Sequence, residues 1–110
     1  MNSKHFKEFY KLMLNEIQLT RDAGQEEYAH TKSNVFANFE RIGSSIDAHR
    51  DKVLMVYLLK HIDGIKAFVK GHTSQREDVT GRIKDAIVYL LLLWGMVEED
   101  KLGDVDYADR

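Results

Sequence analysis

Apolar positions recur along this chain at helical spacing. From Ser3 to about Arg21 they are Phe6, Phe9, Tyr10, Met13, Leu14 and Ile17. That is i, i+3, i+4, i+7, i+8 and i+11, the stripe of one amphipathic helix, and Gly24 is expected to end it. A polar passage follows, Gln25–Ser33, interrupted by one aromatic, Tyr28. A short helix is predicted from Asn34 to about Ile42, with Val35, Phe36, Phe39 and Ile42 apolar, Asn34 as its cap and Gly43 as its stop.

Asp47 is the expected N-cap of a third segment running to about Lys70, before Gly71. Its core stripe reads Met55, Leu58, Leu59, Ile62, Ile65 and Val69. Ser74-Gln75-Arg76-Glu77 fits a capping box, in which the serine accepts from the backbone and the glutamate reaches back. It would open a last helix, about Gln75–Val97, with a core stripe of Val79, Ile83, Ala86, Leu90, Leu93 and Val97. After Glu98 the periodicity fades. The expected fold class is therefore all-α: an antiparallel bundle of about four helices, with residues 1–97 one domain and 98–110 a mobile acidic tail.

Composition sharpens this picture. The chain has 110 residues, no proline and no cysteine. Missing prolines permit long helices, and missing cysteines exclude disulfide frameworks, thiol nucleophiles and cysteine zinc sites. The net charge of −2 argues against a partner in duplex nucleic acid. It conceals an uneven distribution: residues 98–110 carry six acids and two bases, and the rest holds 14 bases against 12 acids. A mildly basic body suits a local anionic ligand better than a duplex-wide footprint.

Ala86–Val97 is the longest apolar stretch, well short of the roughly 20 residues that a bilayer span needs. With no export signal visible before Lys11, a cytoplasmic protein with no membrane partner is expected. That stretch is apolar nearly all round, more than a bundle of this size can cover. A homo-oligomer is the expected remedy, most simply a dimer burying Leu91, Leu92 and Trp94.

Candidate chemistry centres on the last helix. Asp78, Arg82, Asp85 and Tyr89 lie at i, i+4, i+7 and i+11, about 100° from the predicted core stripe. Groups at such an edge are partly desolvated, where charge acts strongly; the plainer reading is a chain of ion pairs worth a few tenths of a kcal/mol each. On the third helix, Lys60 and His61 beside Asp63 could meet a phosphate, or form an ordinary surface pair. Asn34 and Asn38 share a face of the short helix, and amides there could read a base edge. The five histidines (5, 30, 49, 61 and 72) include no i, i+4 metal pair. No glycine loop of the Walker or Rossmann type occurs, and no nucleophile elbow.

Four runs in order, Glu27-Tyr28-Ala29, Phe36-Ala37-Asn38-Phe39-Glu40, Leu59-Lys60-His61-Ile62 and Gly81-Arg82-Ile83-Lys84-Asp85-Ala86-Ile87-Val88-Tyr89-Leu90, carry a resemblance. Over about residues 20–97 the chain resembles the small phage-encoded nucleotide-modification-associated domains, which are similar to MazG-like nucleotide pyrophosphohydrolases. The resemblance implies an all-α fold, a nucleotide ligand and a phage setting in the host cytoplasm. It implies pocket positions Tyr28, Asn38, Phe39, Lys60, Arg82, Asp85 and Tyr89. Thr80 stands where that pattern has an acid, and Val88 where it has an asparagine.

A pyrophosphohydrolase of this kind clusters carboxylates to hold Mg²⁺ against the phosphates. Here the candidate metal ligands are Glu26, Glu27, Glu40, Asp78 and Asp85, with Arg82 between the last two. A cation in that place favours direct phosphate binding over binding through a metal. Recognition of a nucleotide or nucleotide signal, with no cofactor, is the leading expectation. Mg²⁺-dependent hydrolysis is the alternative, and a helical module that binds a host protein is a third.

Overall fold

The computed structural model describes residues 1–28, 34–72 and 78–103, with the side chains of 25–28 left aside. Every element among them is helical: α1 (Ser3–Tyr28), α2 (Ala37–Ile46), α3 (Arg50–Val69) and α4 (Val79–Leu102). The long pair, α3 and α4, forms the spine. Arg50 at the start of α3 meets Asp100 near the end of α4, and Gly64 lies against Arg82, so the two helices are antiparallel. Helix α1 runs the other way than expected. Glu16 faces Lys84 at 3.5 Å, and Thr20–Gly24 lie with Val88–Leu92 around one cleft, so α1 and α4 share a direction. The bundle is thus antiparallel in its spine and parallel along α1.

Helix ends show where local chemistry overrode the sequence reading. Asn2 caps α1, its Oδ1 accepting from the His5 amide at 2.9 Å. The helix passes through Gly24 because nothing lies near that position and glycine costs only about 1 kcal/mol in a helix interior. Asn34 does organise the entry to α2: its Oδ1 accepts from the Phe36 amide, and its Nδ2 donates to Glu40 at 2.7 Å. But α2 continues past Gly43 to Ile46. Gly43 is held there by packing, since a Cβ would stand 2.5 Å from the Ala48 carbonyl oxygen.

Asp47 is therefore not the cap of α3. It closes α2 in the left-handed region, at φ 55° and ψ 49°, a conformation that aspartate tolerates better than most residues. His49 is the residue that precedes α3, with Nδ1 3.4 Å from the Asp51 amide and 2.8 Å from its carboxylate. Helix α3 ends as expected. Gly71, at φ 98°, lets the His72 amide reach back to the Ala67 carbonyl. The proposed capping box lies outside the described residues, and Asp78 caps α4 instead. Glu98–Leu102, expected in the tail, form the last turns of that helix.

The core is small. Phe36, Leu54 and Met96 form its centre, with Phe39, Tyr89, Leu92 and Leu93 against them. Phe36 lies on Gly95, where a Cβ would come within 3.0 Å of its ring. Ile17, Val53, Leu58 and Ala86 are also buried. Of the expected α3 stripe, Leu58 is buried and Met55, Leu59 and Val69 are exposed. Of the α4 stripe, Ala86 is buried and Leu93 is packed on the core, but Ile83 and Leu90 face solvent. Helix α4 is rotated so that Ala86, Tyr89, Met96 and Asp100 face inward. An all-apolar helix has no periodicity to fix its inner face, and the burial of Asp100 beside Arg50 settles it here.

Candidate functional site

A cleft of about 740 Å³ opens where α1, α2, α3 and α4 converge, a volume usual for small-molecule sites. Its aromatic part is built on three helices. Phe39 comes from α2, Tyr57 from α3 and Tyr89 from α4. The two tyrosine rings are nearly parallel, with centroids 6.1 Å apart. Phe39 stands edge-on to both, at 6.1 Å from Tyr57 and 6.3 Å from Tyr89. His61, one turn beyond Tyr57, brings its ring to 5.5 Å from Tyr89. These spacings follow from helical periodicity, since 57 and 61 are i, i+4, as are 85 and 89.

Polar groups border the rings. Asp85 faces His61, with Oδ2 3.9 Å from Nδ1, too long for a hydrogen bond. Among the described residues the buried His61 Nδ1 has no hydrogen-bond partner, a costly condition that a ligand or a small movement toward Asp85 would relieve. Asn38 lines the cleft with its carbonyl oxygen fixed by Arg41 Nη2 at 2.8 Å. Thr20 and Arg21 border it from α1, the threonine hydroxyl donating to the Glu16 carbonyl at 2.9 Å.

Asn38, Phe39, His61, Asp85 and Tyr89, five of the positions singled out in the sequence, thus come together in one cleft. Lys60 and Arg82 do not line it. Lys60 is exposed elsewhere on α3. Arg82 lies in the α3–α4 seam on Gly64, where a Cβ would overlap its guanidinium, and its Nε is buried without a partner. The side chain of Tyr28 falls outside the described residues. The sequence reading missed Tyr57, Arg21 and Thr20. Tyr57 could have been found, because it lies one turn before His61; the α1 residues gave no signal.

Three of the five acids named as metal ligands, Glu40, Asp78 and Asp85, stand apart. Glu40 accepts from Asn34 Nδ2 and pairs with Arg50 at 3.2 Å. Asp78 is turned onto Thr80, and those bonds draw its pKa below the usual carboxylate value. Asp85 alone of these three lines the cleft, and the side chains of Glu26 and Glu27 lie outside the described residues. Among the described residues no three histidine or carboxylate side chains are grouped for a metal ion, and Glu40, Asp78 and Asp85 do not converge on one point.

A second polar centre lies at the other end of the spine. Arg50, 9% exposed, holds Glu99 at 2.8 Å, Asp100 at 2.9 Å and Glu40 at 3.2 Å. Its guanidinium carbon lies 4.9 Å from the centre of the Phe36 ring. Burial works against the charge, but the hydrogen bond that Arg50 donates to Glu99 and the fields of Asp100, Glu99 and Glu40 outweigh it and raise the pKa. The cation is permanent.

No helix among the described residues is long and apolar enough to cross a membrane. No protein-family model matches the chain, and comparison with curated proteins and with solved structures gives no match.

Proposed function

We propose that this chain binds a nucleotide in the aromatic cleft, as a recognition or sequestering protein of phage type. The observation that carries the reading is the convergence of Phe39, Tyr57, Tyr89, Asn38, His61 and Asp85 on one cleft of nucleotide size. Every base has a π-face, and stacking on an aromatic side chain is worth about 1–3 kcal/mol. With its oxygen occupied by Arg41, Asn38 offers amide donors to acceptors on a base edge. Asp85 accepts from a ribose hydroxyl or an exocyclic amine. Arg21 takes the phosphate-binding role that the sequence reading gave to Lys60 and Arg82.

Calorimetry against mono-, tri- and cyclic nucleotides tests this. Binding of one class, weakened about 10- to 100-fold by Tyr57→Ala, supports it. Folded protein that binds none overturns it. The same titrations with Mg²⁺, followed for pyrophosphate release and repeated with Asp85→Asn, separate recognition from hydrolysis.

A further inference from the structure

The first half of α1 has no packed neighbour among the described residues. Every residue from Met1 to Leu12 is exposed, and α1 first becomes buried at Ile17. Ten helical residues, about 15 Å at 1.5 Å each, project beyond the fold. They are not a polar spur. Phe6, Phe9, Tyr10 and Leu14 form a stripe along them, with the Phe6 ring 6.3 Å from Phe9 and 5.8 Å from Tyr10. Phe6 is 55% exposed.

The whole chain reports the same deficit. Its accessible surface is 8331 Å², where a monomer of 12.8 kDa exposes about 6,300 Å². Its radius of gyration is 16.1 Å, against about 13 Å for a compact chain of this length.

A matching surface exists on the same molecule. The outer face of α4 exposes Ile83, Leu90, Leu91 and Trp94, the last 65% exposed. Leu92, expected in that interface, is instead packed against the core. The face runs into Glu98, which holds Trp94 Nε1 at 3.3 Å and Lys101 at 3.2 Å. The α1 stripe is flanked by Lys4, Lys7 and Lys11 against the single acid Glu8. Both stripes are apolar, and the end of α4 that follows the outer face carries Glu98, Glu99 and Asp100 against Lys101 and the Arg50 that binds Glu99 and Asp100. Laid antiparallel, the lysine-bearing start of α1 meets the acidic end of α4, which also aligns the helix dipoles favourably. Because α1 projects away from the start of α4, it cannot fold back along its own α4 in this way.

We propose that the first half of α1 is a docking arm for a second copy of this chain, packing antiparallel on the outer face of its α4 in a reciprocal dimer. Each copy gives one arm and receives one, so the contact closes with two-fold symmetry. The other end of α1 lines the aromatic cleft, so the arm and one cleft wall belong to one helix. The proposal does not depend on the identity of the cleft's ligand.

The test is the mass of the full chain by sedimentation at about 50 µM, where a micromolar dimer is populated. The expected result is twice 12.8 kDa. Phe9→Glu and Trp94→Glu change exposed residues and should each weaken association about 30-fold or more with unchanged helical circular dichroism. Lys7→Glu and Glu98→Lys should each weaken it, and the two together should restore it. A monomer at that concentration, a dimer indifferent to Phe9→Glu, or a monomer whose arm binds phosphatidylglycerol vesicles would each overturn the proposal.

Discussion

Two clusters of charge and aromatic rings sit on the α3–α4 spine, and they are finished to different degrees. At the Arg50 end each partner is met: three carboxylates, one carbonyl at 3.4 Å and the Phe36 ring surround one guanidinium. In the cleft one polar group stops short. Among the described residues the buried His61 Nδ1 has no hydrogen-bond partner, and it stands 3.9 Å from Asp85. A saturated network rigidifies a fold. An unsaturated one beside an open volume stores recognition capacity, at a cost in stability borne elsewhere. The contrast marks Arg50 as a structural centre and leaves the cleft as the place for the proposed ligand, although Glu40, at the first, is a candidate metal ligand by sequence.

The contrast breaks most easily at Arg50. Arg50→Ala takes the guanidinium away from Asp100, which is 10% exposed and also faces His49 Nε2 at 3.9 Å, and removing one member of a buried pair costs about 3–5 kcal/mol. Urea unfolding should show a loss of that size, with Glu99→Ala much milder because Glu99 is 60% exposed. A loss below about 1 kcal/mol would demote Arg50 to a surface pair and remove the distinction.

Tyr57→Ala probes the other side. Tyr57 is 39% exposed, so truncation should cost little in unfolding free energy while the nucleotide affinity falls about 10- to 100-fold. If stability fell by as much as binding, the ring would be core, and the cleft a packing defect.

The difference between these regions also explains what could be read from sequence. Cleft residues on one helix were legible because they recur at helical spacing: Asp85 with Tyr89, and His61 on α3. Asn38 is legible from the face it shares with Asn34, and Phe39 as a pocket position only from the resemblance. The Arg50 cluster was invisible, because its guanidinium meets Asp100 fifty residues later, and no local spacing encodes that. For the same reason the inward face of α4 was misassigned. Periodicity selects a face only when the other faces are polar, and Ala86–Val97 offers none. The α1 stripe was legible as a stripe, but an amphipathic pattern does not say whether its partner lies in the same chain.

Two glycines, one at each region, give a smaller and opposite pair of effects. At Gly43, beside the Arg50 cluster, an added Cβ meets the Ala48 carbonyl oxygen, and backbone must shift. Gly43→Ala should cost about 1–3 kcal/mol, the usual range for overpacking. At Gly24, on the cleft wall, nothing lies within 4 Å, so Gly24→Ala should stabilise α1 by about 0.5–1 kcal/mol. Thermal unfolding of the two variants should move in opposite directions; two losses would mean the cleft wall is as tightly packed as the cluster.

The smallest effect concerns the two ends of α4. Arg50 holds the late end with a cation whose pKa is raised by Glu99, Asp100 and Glu40 against burial, so it stays charged as pH rises. Asp78 holds the early end with a group that titrates. The Thr80 hydroxyl, then the Thr80 amide, donate to its carboxylate and lower its pKa from 3.8. A depressed carboxylate contributes stability that is complete above its unfolded value and is lost as pH falls through the folded one. Amide exchange at Thr80–Arg82 should therefore speed up, relative to the middle of α4, between about pH 5 and pH 2. Asp78→Asn keeps a capping side chain but removes the titration, so its relative exchange should be flat over that range. If wild type and Asp78→Asn lose protection alike, the early end of α4 is held by something other than this cap.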